Sequence, residues 1–132
     1  MGQNMRYLID SNILIYFITG SAPDNVLRTI RNILVSSFYI SIISRIEVLG
    51  WNKHTDESYK KTNDLLHYST IIPVDEAVAN EAIRIRQRTH TKLPDAVIAA
   101  TAISLSATLV TRNYKDFISI QGLKLLNPFE YE

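Results

Sequence analysis

Apolar clusters and chain-breaking residues alternate along the sequence, and their spacing predicts a regular succession of strands and helices. Runs rich in β-branched and aromatic residues predict strands at residues 5–9, 38–43, 70–74, 108–111 and 124–126. Apolar residues at helical spacing predict helices from Asp24 onward and at 44–51, 57–68, 76–89 and 93–106. Residues 12–18 fit either a short helix or a continuation of the first strand. Strands that alternate with helices of about ten or more residues indicate an α/β fold around a mainly parallel sheet.

Two of the helices carry recognisable start signals. Asp75 has the residue type and position of an N-cap for the helix that runs towards Thr89. In the stretch KLPDAVIAAT, Pro94 suits the first helical position, and small residues follow Asp95. Such small side chains let a helix pack closely against a sheet, so this helix is expected to be buried.

The length and composition fit one folded domain. The 132 residues are 46% hydrophobic, which is enough to build a core, and no linker, repeat or low-complexity segment divides them. We therefore expect a single domain over residues 1–132.

Composition also excludes several classes of protein. The chain has no cysteine, so a disulfide framework, a thiolate metal site and a cysteine nucleophile are excluded. Charged and polar residues interrupt the apolar pieces of residues 1–20, which suits neither a signal peptide nor a spanning helix. We expect no membrane segment and a cytoplasmic location. The net charge of +1 decides nothing about a nucleic-acid partner.

Four acidic residues follow predicted strands or open the helices that come after them. Asp10 ends the first strand in YLIDSN, and Glu47 follows the run FYISII. Asp95 comes directly after a proline, and Asp116 follows TLVT within TRNYKDF. Because the carboxyl ends of parallel strands share one edge of the sheet, these carboxylates are expected to converge.

Converging carboxylates need a counter-charge. In a dry cleft they repel one another and raise each other's pKa unless a cation holds them. The hard cation that prefers such oxygen ligands is Mg²⁺, with Mn²⁺ as a substitute. The shared edge therefore predicts a divalent metal site.

Each acid also has a purely structural interpretation. Asp10 suits an N-cap for the next helix, and Ser44-x-x-Glu47 matches a capping box. Asp95 favours the positive end of a helix dipole, and Asp116 suits a turn. Taken alone, the capping interpretation of Glu47 is the stronger one. These separate explanations do not account for the common edge.

Basic and aromatic residues are less informative. Arg84, Arg88 and Lys92 are spaced by four and form one stripe, which fits a solvated helix face better than a phosphate-binding one. Four aromatic residues lie in helical apolar patterns and suit the core or an interface better than base stacking: Tyr16, Phe17, Trp51 and Tyr68. The three histidines show no ligand spacing and receive no role: His54, His67 and His90.

Four segments, in this order, resemble those of the PIN-domain family, in particular the ribonuclease toxins of the VapC type. They are YLIDSNILIYF, ISIISRIEVLGW, KLPDAVIAATA and TLVTRNYKDF, followed by LKLLNPF, and together they cover almost the whole chain. The resemblance implies a compact three-layer α/β/α fold and a metal-dependent endoribonuclease. It implies one catalytic, metal-binding quartet: Asp10, Glu47, Asp95 and Asp116.

The implied reaction is hydrolysis of an RNA phosphodiester by a water that one or two Mg²⁺ ions activate, leaving a 5′-phosphate and a 3′-hydroxyl. Five further residues are expected to support the acids or bind substrate: Ser11, Asn12, Thr111, Arg112 and Asn113. The chain departs from many relatives at Asn113, where they carry an acid. The fourth ligand is then Asp116 alone, or Asn113 shares its role.

The resemblance also implies partners. Such toxins act with a small antitoxin protein, and the family commonly forms homodimers. The antitoxin is expected to cover apolar residues of the first helices, unless these residues belong to the core: Tyr16, Phe17, Ile30, Leu34 and Trp51.

Three other functions remain open from the sequence. A phosphatase of the haloacid-dehalogenase type also ends its first strand in aspartate, but its usual second aspartate falls at Asn12, which cannot act as a general acid. A receiver-like signalling domain leaves Glu47 and Asp95 unexplained. A PIN-like module that binds RNA or protein without catalysis has the same fold.

Overall fold

The computed structural model describes residues 5–131, except for the side chain of residue 131. Five strands form one sheet: β1 Tyr7–Ile9, β2 Tyr39–Ser41, β3 Thr70–Ile72, β4 Thr108–Val110 and β5 Lys124–Leu126. All pairs are parallel, in the order β3-β2-β1-β4-β5, and Leu8 pairs with Tyr39 on one side and Leu109 on the other. The expected parallel sheet is confirmed, with β1 at its centre.

Seven α-helices are found among the described residues, and a short 3₁₀ helix follows at Pro128–Tyr131. They are α1 Ser11–Thr19, α2 Asp24–Ser36, α3 Ile42–Leu49, α4 Asp56–Leu66, α5 Glu76–Arg88, α6 Leu93–Leu105 and α7 Tyr114–Phe117. Residues 12–18 are therefore helical. Helix α7 and the 3₁₀ helix were not predicted, because one turn is too short to show a helical period.

Local capping explains where several helices begin and end. Asp75 accepts a hydrogen bond from the Val78 N–H at 2.9 Å, which confirms it as the N-cap of α5. Helix α1 ends at Gly20, whose φ of 66° is a left-handed conformation that glycine adopts without strain. Helix α3 begins at Ile42 because Ser41 accepts from the Ile43 N–H at 3.1 Å. Strand β2 therefore ends at Ser41, two residues before the end that the sequence pattern predicted.

Alternate strand residues pack on the two faces of the sheet, which gives the fold its three layers. Leu8 and Leu109 pack with α5 and α6, whereas Ile9 and Val110 pack with α1 and α2. Helix α6 lies deepest, and its segment from Ala96 to Ala102 is buried throughout. The α/β/α architecture is confirmed.

The expected domain of residues 1–132 includes residues 1–4 and 132, which lie outside the described part of the chain. Between Met5 and Tyr131, no helix combines the length and the apolar composition needed to cross a membrane.

Candidate active site

The connections of the sheet place a crevice at the end of its central strand. From β1 the chain first builds β2 and β3 on one side, and β4 and β5 lie on the other side. Ligands of open α/β sheets bind outside the carboxyl ends of the strands at such a switch point. Asp10 lies there, because it directly follows β1 and caps α1.

Both oxygens of the Asp10 carboxylate are held. The Oδ1 atom accepts at 2.8 Å from the N–H of Ser11, the first residue of α1. The Oδ2 atom accepts from the Thr111 hydroxyl at 2.8 Å and from the Asn12 amide at 3.2 Å. The capping interpretation of Asp10 is confirmed, and it is compatible with the functional one because the same bonds fix the orientation of the carboxylate.

The environment of Asp10 favours its protonated form. The residue is only 5% exposed, and this burial is the main reason why its pKa rises from 3.8 to about 6. The hydrogen bonds from Thr111 and Ser11 lower the pKa, whereas the charges of Glu47 and Asp95 raise it. Asp10 therefore lies within electrostatic reach of two of the other predicted acids.

Glu47 faces α1 and makes no capping box. Its Oε1 atom accepts a hydrogen bond from the Ser11 hydroxyl at 3.0 Å. Ser44 is not the N-cap of α3, since Ser41 caps that helix, and the buried Ser44 hydroxyl has no hydrogen-bond partner among the described residues. The capping interpretation of Glu47 is wrong because α3 begins before Ser44.

Asp95 lies in the first turn of α6 and is partly buried. Pro94 occupies the second helical position, one later than expected, because Lys92 is the N-cap. Burial raises the pKa of Asp95, the charges of Asp116 and Glu47 raise it further, and the charge of Lys92 lowers it. The backbone N–H groups of this turn add a positive field at the carboxylate.

Asp116 is an exposed residue of α7 and shares a cleft of about 480 Å³ with Asp95. Asp10 is influenced by Glu47 and Asp95, and Asp95 by Glu47 and Asp116. The structure therefore brings all four predicted acids into one electrostatically coupled group.

The four acids have the ligand chemistry that a divalent cation prefers, but their side chains are not positioned as a complete set of metal ligands. Among residues 5–131, no three acidic or histidine side chains already stand in an arrangement that holds a metal ion. The donors are all carboxylate oxygens, which hard cations prefer. Burial and mutual repulsion raise the pKa of Asp10 and Asp95, and a cation would relieve the repulsion. Glu47 and Asp116 are exposed, so their rotamers can change without repacking the core.

The polar residues predicted around the acids form a short network. The buried Thr111 hydroxyl donates to Asp10 and accepts from the Asn113 backbone N–H at 3.0 Å and from the Asn12 amide at 3.4 Å. Ser11 links Asp10 to Glu47 through its N–H and its hydroxyl. Asn113 takes part through its backbone, while its side chain is exposed.

Arg112 packs on an aromatic pair beside this network. Its Nη1 atom donates to the Tyr16 hydroxyl at 2.8 Å, and its guanidinium lies 4.1 Å from the centre of the Phe129 ring. The two rings pack edge to face, with their centres 5.0 Å apart. The role of Phe129 was missed, because the 3₁₀ helix that carries it was not predicted.

The cleft that holds Asp95 and Asp116 contains basic residues that the acids alone did not indicate. Arg88 and Lys92 line it, so part of the predicted stripe faces the acids, whereas Arg84 pairs with Glu81. Lys115 of α7 also lines it. The sequence reveals Lys115 only once TRNYKDF is known to pack beside the start of α6.

Two of the five apolar residues that were expected to contact an antitoxin line a groove on the surface. Phe17 and Leu34 line a groove of about 350 Å³, together with Arg31, Val35, Phe38, Leu65 and Tyr68. Ile30 is 1% exposed and belongs to the core, which was the alternative that the sequence left open. Tyr16 packs on Phe129 and Trp51 on His54, away from this groove. We refer to the seven lining residues as the apolar groove.

Known proteins resemble this chain over most of its length. The family model of the PIN domain matches residues 7–123. A chain in the solved toxin-antitoxin complex from Klebsiella pneumoniae is 33% identical, with a TM-score of 0.72 over 92% of this chain and 97% of that one. VapBC2 from Rickettsia felis, solved with a promoter DNA fragment, is 26% identical, with a TM-score of 0.79 over 93% and 98%.

A more distant similarity confirms the fold alone. VapBC-1 from nontypeable Haemophilus influenzae is 22% identical, with a TM-score of 0.76 over 95% of this chain and 99% of that one. No curated protein sequence matches the chain significantly.

Proposed function

The chain belongs to the PIN domain family, and we propose that it is a metal-dependent endoribonuclease that serves as the toxin of a toxin-antitoxin pair. One observation carries the catalytic part of this proposal. Four carboxylates from four separate segments are electrostatically coupled at the carboxyl edge of the sheet, with no fixed cation bound to them by an ion pair among residues 5–131. Repulsion of this kind costs stability, and a cation-dependent reaction gives a reason to retain it.

Asp10 and Asp95 would hold the cation, with Asp116 completing the set of ligands. A bound Mg²⁺ or Mn²⁺ lowers the pKa of water and offsets charge on the phosphodiester oxygens. Thr111 and Asn12 keep the Asp10 carboxylate in one orientation, so it needs no reorganisation when a ligand arrives.

Glu47 would either bind the cation or orient the attacking water. The Ser11 hydroxyl holds Glu47 on the side of α1 that bears Asp10. Because Glu47 is exposed and Asp10 is buried, the two carboxylates have different access to solvent. A carboxylate in contact with solvent suits the handling of water, and a buried one suits a permanent ligand position.

The toxin part of the proposal rests on the named neighbours and on the apolar groove. The solved relatives from K. pneumoniae and R. felis are a toxin-antitoxin complex and a VapBC2 structure. Val35 and Tyr68 of the apolar groove are 83% and 84% exposed, which is unusual for large apolar side chains. A small antitoxin would cover this groove. A single domain, a homodimer and a cytoplasmic location complete the proposal.

A second candidate is a PIN-like module that binds RNA or protein without cutting RNA. It is favoured by the lack of a finished metal-binding arrangement among residues 5–131. The haloacid-dehalogenase alternative has no such support, because Asn12 donates its amide to Asp10 and Thr111 and offers no acidic group.

The deciding experiment measures cleavage of labelled structured RNA with Mg²⁺, with Mn²⁺ and with chelator. Wild-type protein should cut RNA only with metal. The Asp95→Asn variant should remain folded but cut at least about 100-fold more slowly. Loss of a residue that only supports a ligand slows a metal enzyme by ~10–100-fold, and loss of a direct ligand should cost at least as much. The matched control is Asp64→Asn, an exposed carboxylate on α4. Undiminished cleavage by Asp95→Asn would overturn the metal-site assignment. Cleavage by neither protein under any condition would favour the non-catalytic module.

A further inference from the structure

A basic cleft leads away from the acids on the side of α5 and α7. Asp95 and Asp116 line the cleft of about 480 Å³ together with His90 and three exposed cations: Arg88, Lys92 and Lys115. Three residues with hydroxyl groups also line it: Thr89, Thr91 and Ser119. We refer to these six residues as the basic cleft. Its lining combines the two kinds of donor that bind phosphate oxygens.

The cations of the basic cleft are available to a ligand. The ion pairs found among residues 5–131 use Lys61 and Arg84 instead. Lys92 lowers the pKa of Asp95, so its charge reaches the edge of the acidic group without forming an ion pair of 4.0 Å or less. Asp95 and Asp116 line the same cleft and offset part of the repulsion among its three cations, and the excess of cations over carboxylates favours an anion.

A polyanionic substrate needs such a surface next to the acids. Four carboxylates repel the phosphates of RNA, and one or two metal ions offset that repulsion only at the bond being cut. The neighbouring phosphates require cations supplied by the protein itself. The basic cleft adjoins Asp95 and Asp116, so it lies where the chain of an RNA leaving the reaction centre would pass.

The path continues beyond the first cleft. A second cavity of about 380 Å³ shares Arg88, Thr89 and Ser119 with it and extends to Arg84 and Gln121. The two cavities are therefore adjacent, and the second has apolar as well as polar lining residues. The groove between Ile83, Arg86 and Leu93 on the other face of α5 is mostly apolar.

We propose that the basic cleft binds the backbone phosphates of the RNA substrate on one side of the scissile bond. Arg88, Lys92 and Lys115 contact phosphate oxygens, and the Ser119 hydroxyl donates a hydrogen bond to them. The Thr89 hydroxyl donates to the Ile85 carbonyl at 2.8 Å and bonds the Thr91 hydroxyl at 2.6 Å, so these two hydroxyls shape the wall of the cleft instead. The inference rests on the proposed ribonuclease function and adds the path of the strand. Contacts of this kind position RNA without reading its sequence.

The test is equilibrium binding of a labelled single-stranded RNA oligonucleotide in chelator, where no cleavage interferes. The double variant Arg88→Gln/Lys115→Gln should bind several unrelated sequences more weakly by a similar factor. The plot of log K against log salt should become shallower by about 1.4, from a loss of about 0.7 for each phosphate contact. The single variant Lys115→Arg retains the charge, so its RNA affinity and salt slope should match those of the wild-type protein.

The matched control is Arg86→Gln/Lys60→Gln, which removes the same charge from exposed positions outside the cleft. It should bind RNA as wild type does, and thermal melting should show every variant folded. If Arg88→Gln/Lys115→Gln bound RNA with the affinity and salt slope of the unmodified protein, the proposed role of the basic cleft would be overturned. The proposed ribonuclease function would still stand if the unmodified protein cleaves RNA. Weaker binding by that variant alone would support the cleft even if no cleavage occurs. A wild-type protein that neither binds nor cuts RNA would overturn both.

Discussion

The hydroxyl of Thr111 donates a hydrogen bond of 2.8 Å to Asp10, although 101 residues separate them in the sequence. Asp10 follows β1 and Thr111 follows β4, and these strands are neighbours at the centre of the sheet. The bond lies in a buried environment, where an ionised acceptor makes it stronger than an exposed one. The carboxylate of Asp10, the candidate metal ligand, is therefore held in this orientation only when β1 and β4 are paired in the sheet.

Replacing this hydroxyl should change the pH dependence of catalysis. In Thr111→Val the Asp10 Oδ2 atom retains only the Asn12 amide, so the pKa of Asp10 should rise above its value of about 6. The acid limb of the kcat/KM profile should move to higher pH, and the free energy of unfolding near neutral pH should fall by about 1–3 kcal/mol. Thr111→Ser retains the donor and is the control. An unmoved acid limb in Thr111→Val would contradict the role of the hydroxyl.

Stability without metal should fall as the carboxylates ionise. The pKa of Asp10 is about 6 in the folded chain and 3.8 as its ordinary value, so the folded state holds its proton to higher pH. The contribution of Asp10 to stability is present below pH 3.8 and is lost as the pH rises through about 6. The raised pKa of Asp95 acts in the same direction.

Added metal should reverse this loss. Cations bind the ionised carboxylates, so Mn²⁺ should raise the Tm more at pH 8 than at pH 5. Thermal melting with chelator and with millimolar Mn²⁺ at both pH values measures the difference. The Asp95→Asn variant should show a smaller increase than Asp64→Asn, the exposed control. Equal increases at both pH values would argue against carboxylate ligands.

The two candidates for the fourth acidic position should separate clearly. Asp116 influences the pKa of Asp95 through its charge, whereas Asn113 contacts Thr111 through its backbone N–H. Asp116→Asn should therefore reduce kcat by at least about tenfold, and Asn113→Ala, which retains that N–H, should retain most of it. Single-turnover cleavage of one RNA by both variants measures the two effects. Comparable losses would show that the Asn113 side chain shares the role.

Positions set by local chemistry were predictable from the sequence, and those set by packing were not. The closeness of Asp10, Glu47, Asp95 and Asp116 was predictable because each follows a strand or opens a helix that faces the same edge of the sheet, and their catalytic role stays a prediction. The capping box at Ser44 was predicted wrongly, since Ser41, three residues earlier, also suits a cap and is the one that α3 uses.

Contacts between distant segments left no local pattern. The apolar spacing of α2 does not tell whether Ile30 meets a partner or the core, and the structure packs it in the core. Phe129 meets Arg112 and Tyr16 only because the chain returns to the sheet after β5. Lys115 and Arg88 line the same cleft for a similar reason. Such pairings depend on the order of the strands, which periodicity does not specify.

The apolar groove should decide whether an antitoxin protects the cell. Val35 is 83% exposed, so Val35→Glu should fold and cleave RNA as wild type does, yet place a charge where an apolar partner segment must bury its side chains. Expression with the protein encoded by the adjacent reading frame should restore growth for wild type and much less for Val35→Glu. Ile83→Glu makes the same change at a 55% exposed residue of another apolar surface and should remain protected. Equal protection of Val35→Glu would place the antitoxin elsewhere.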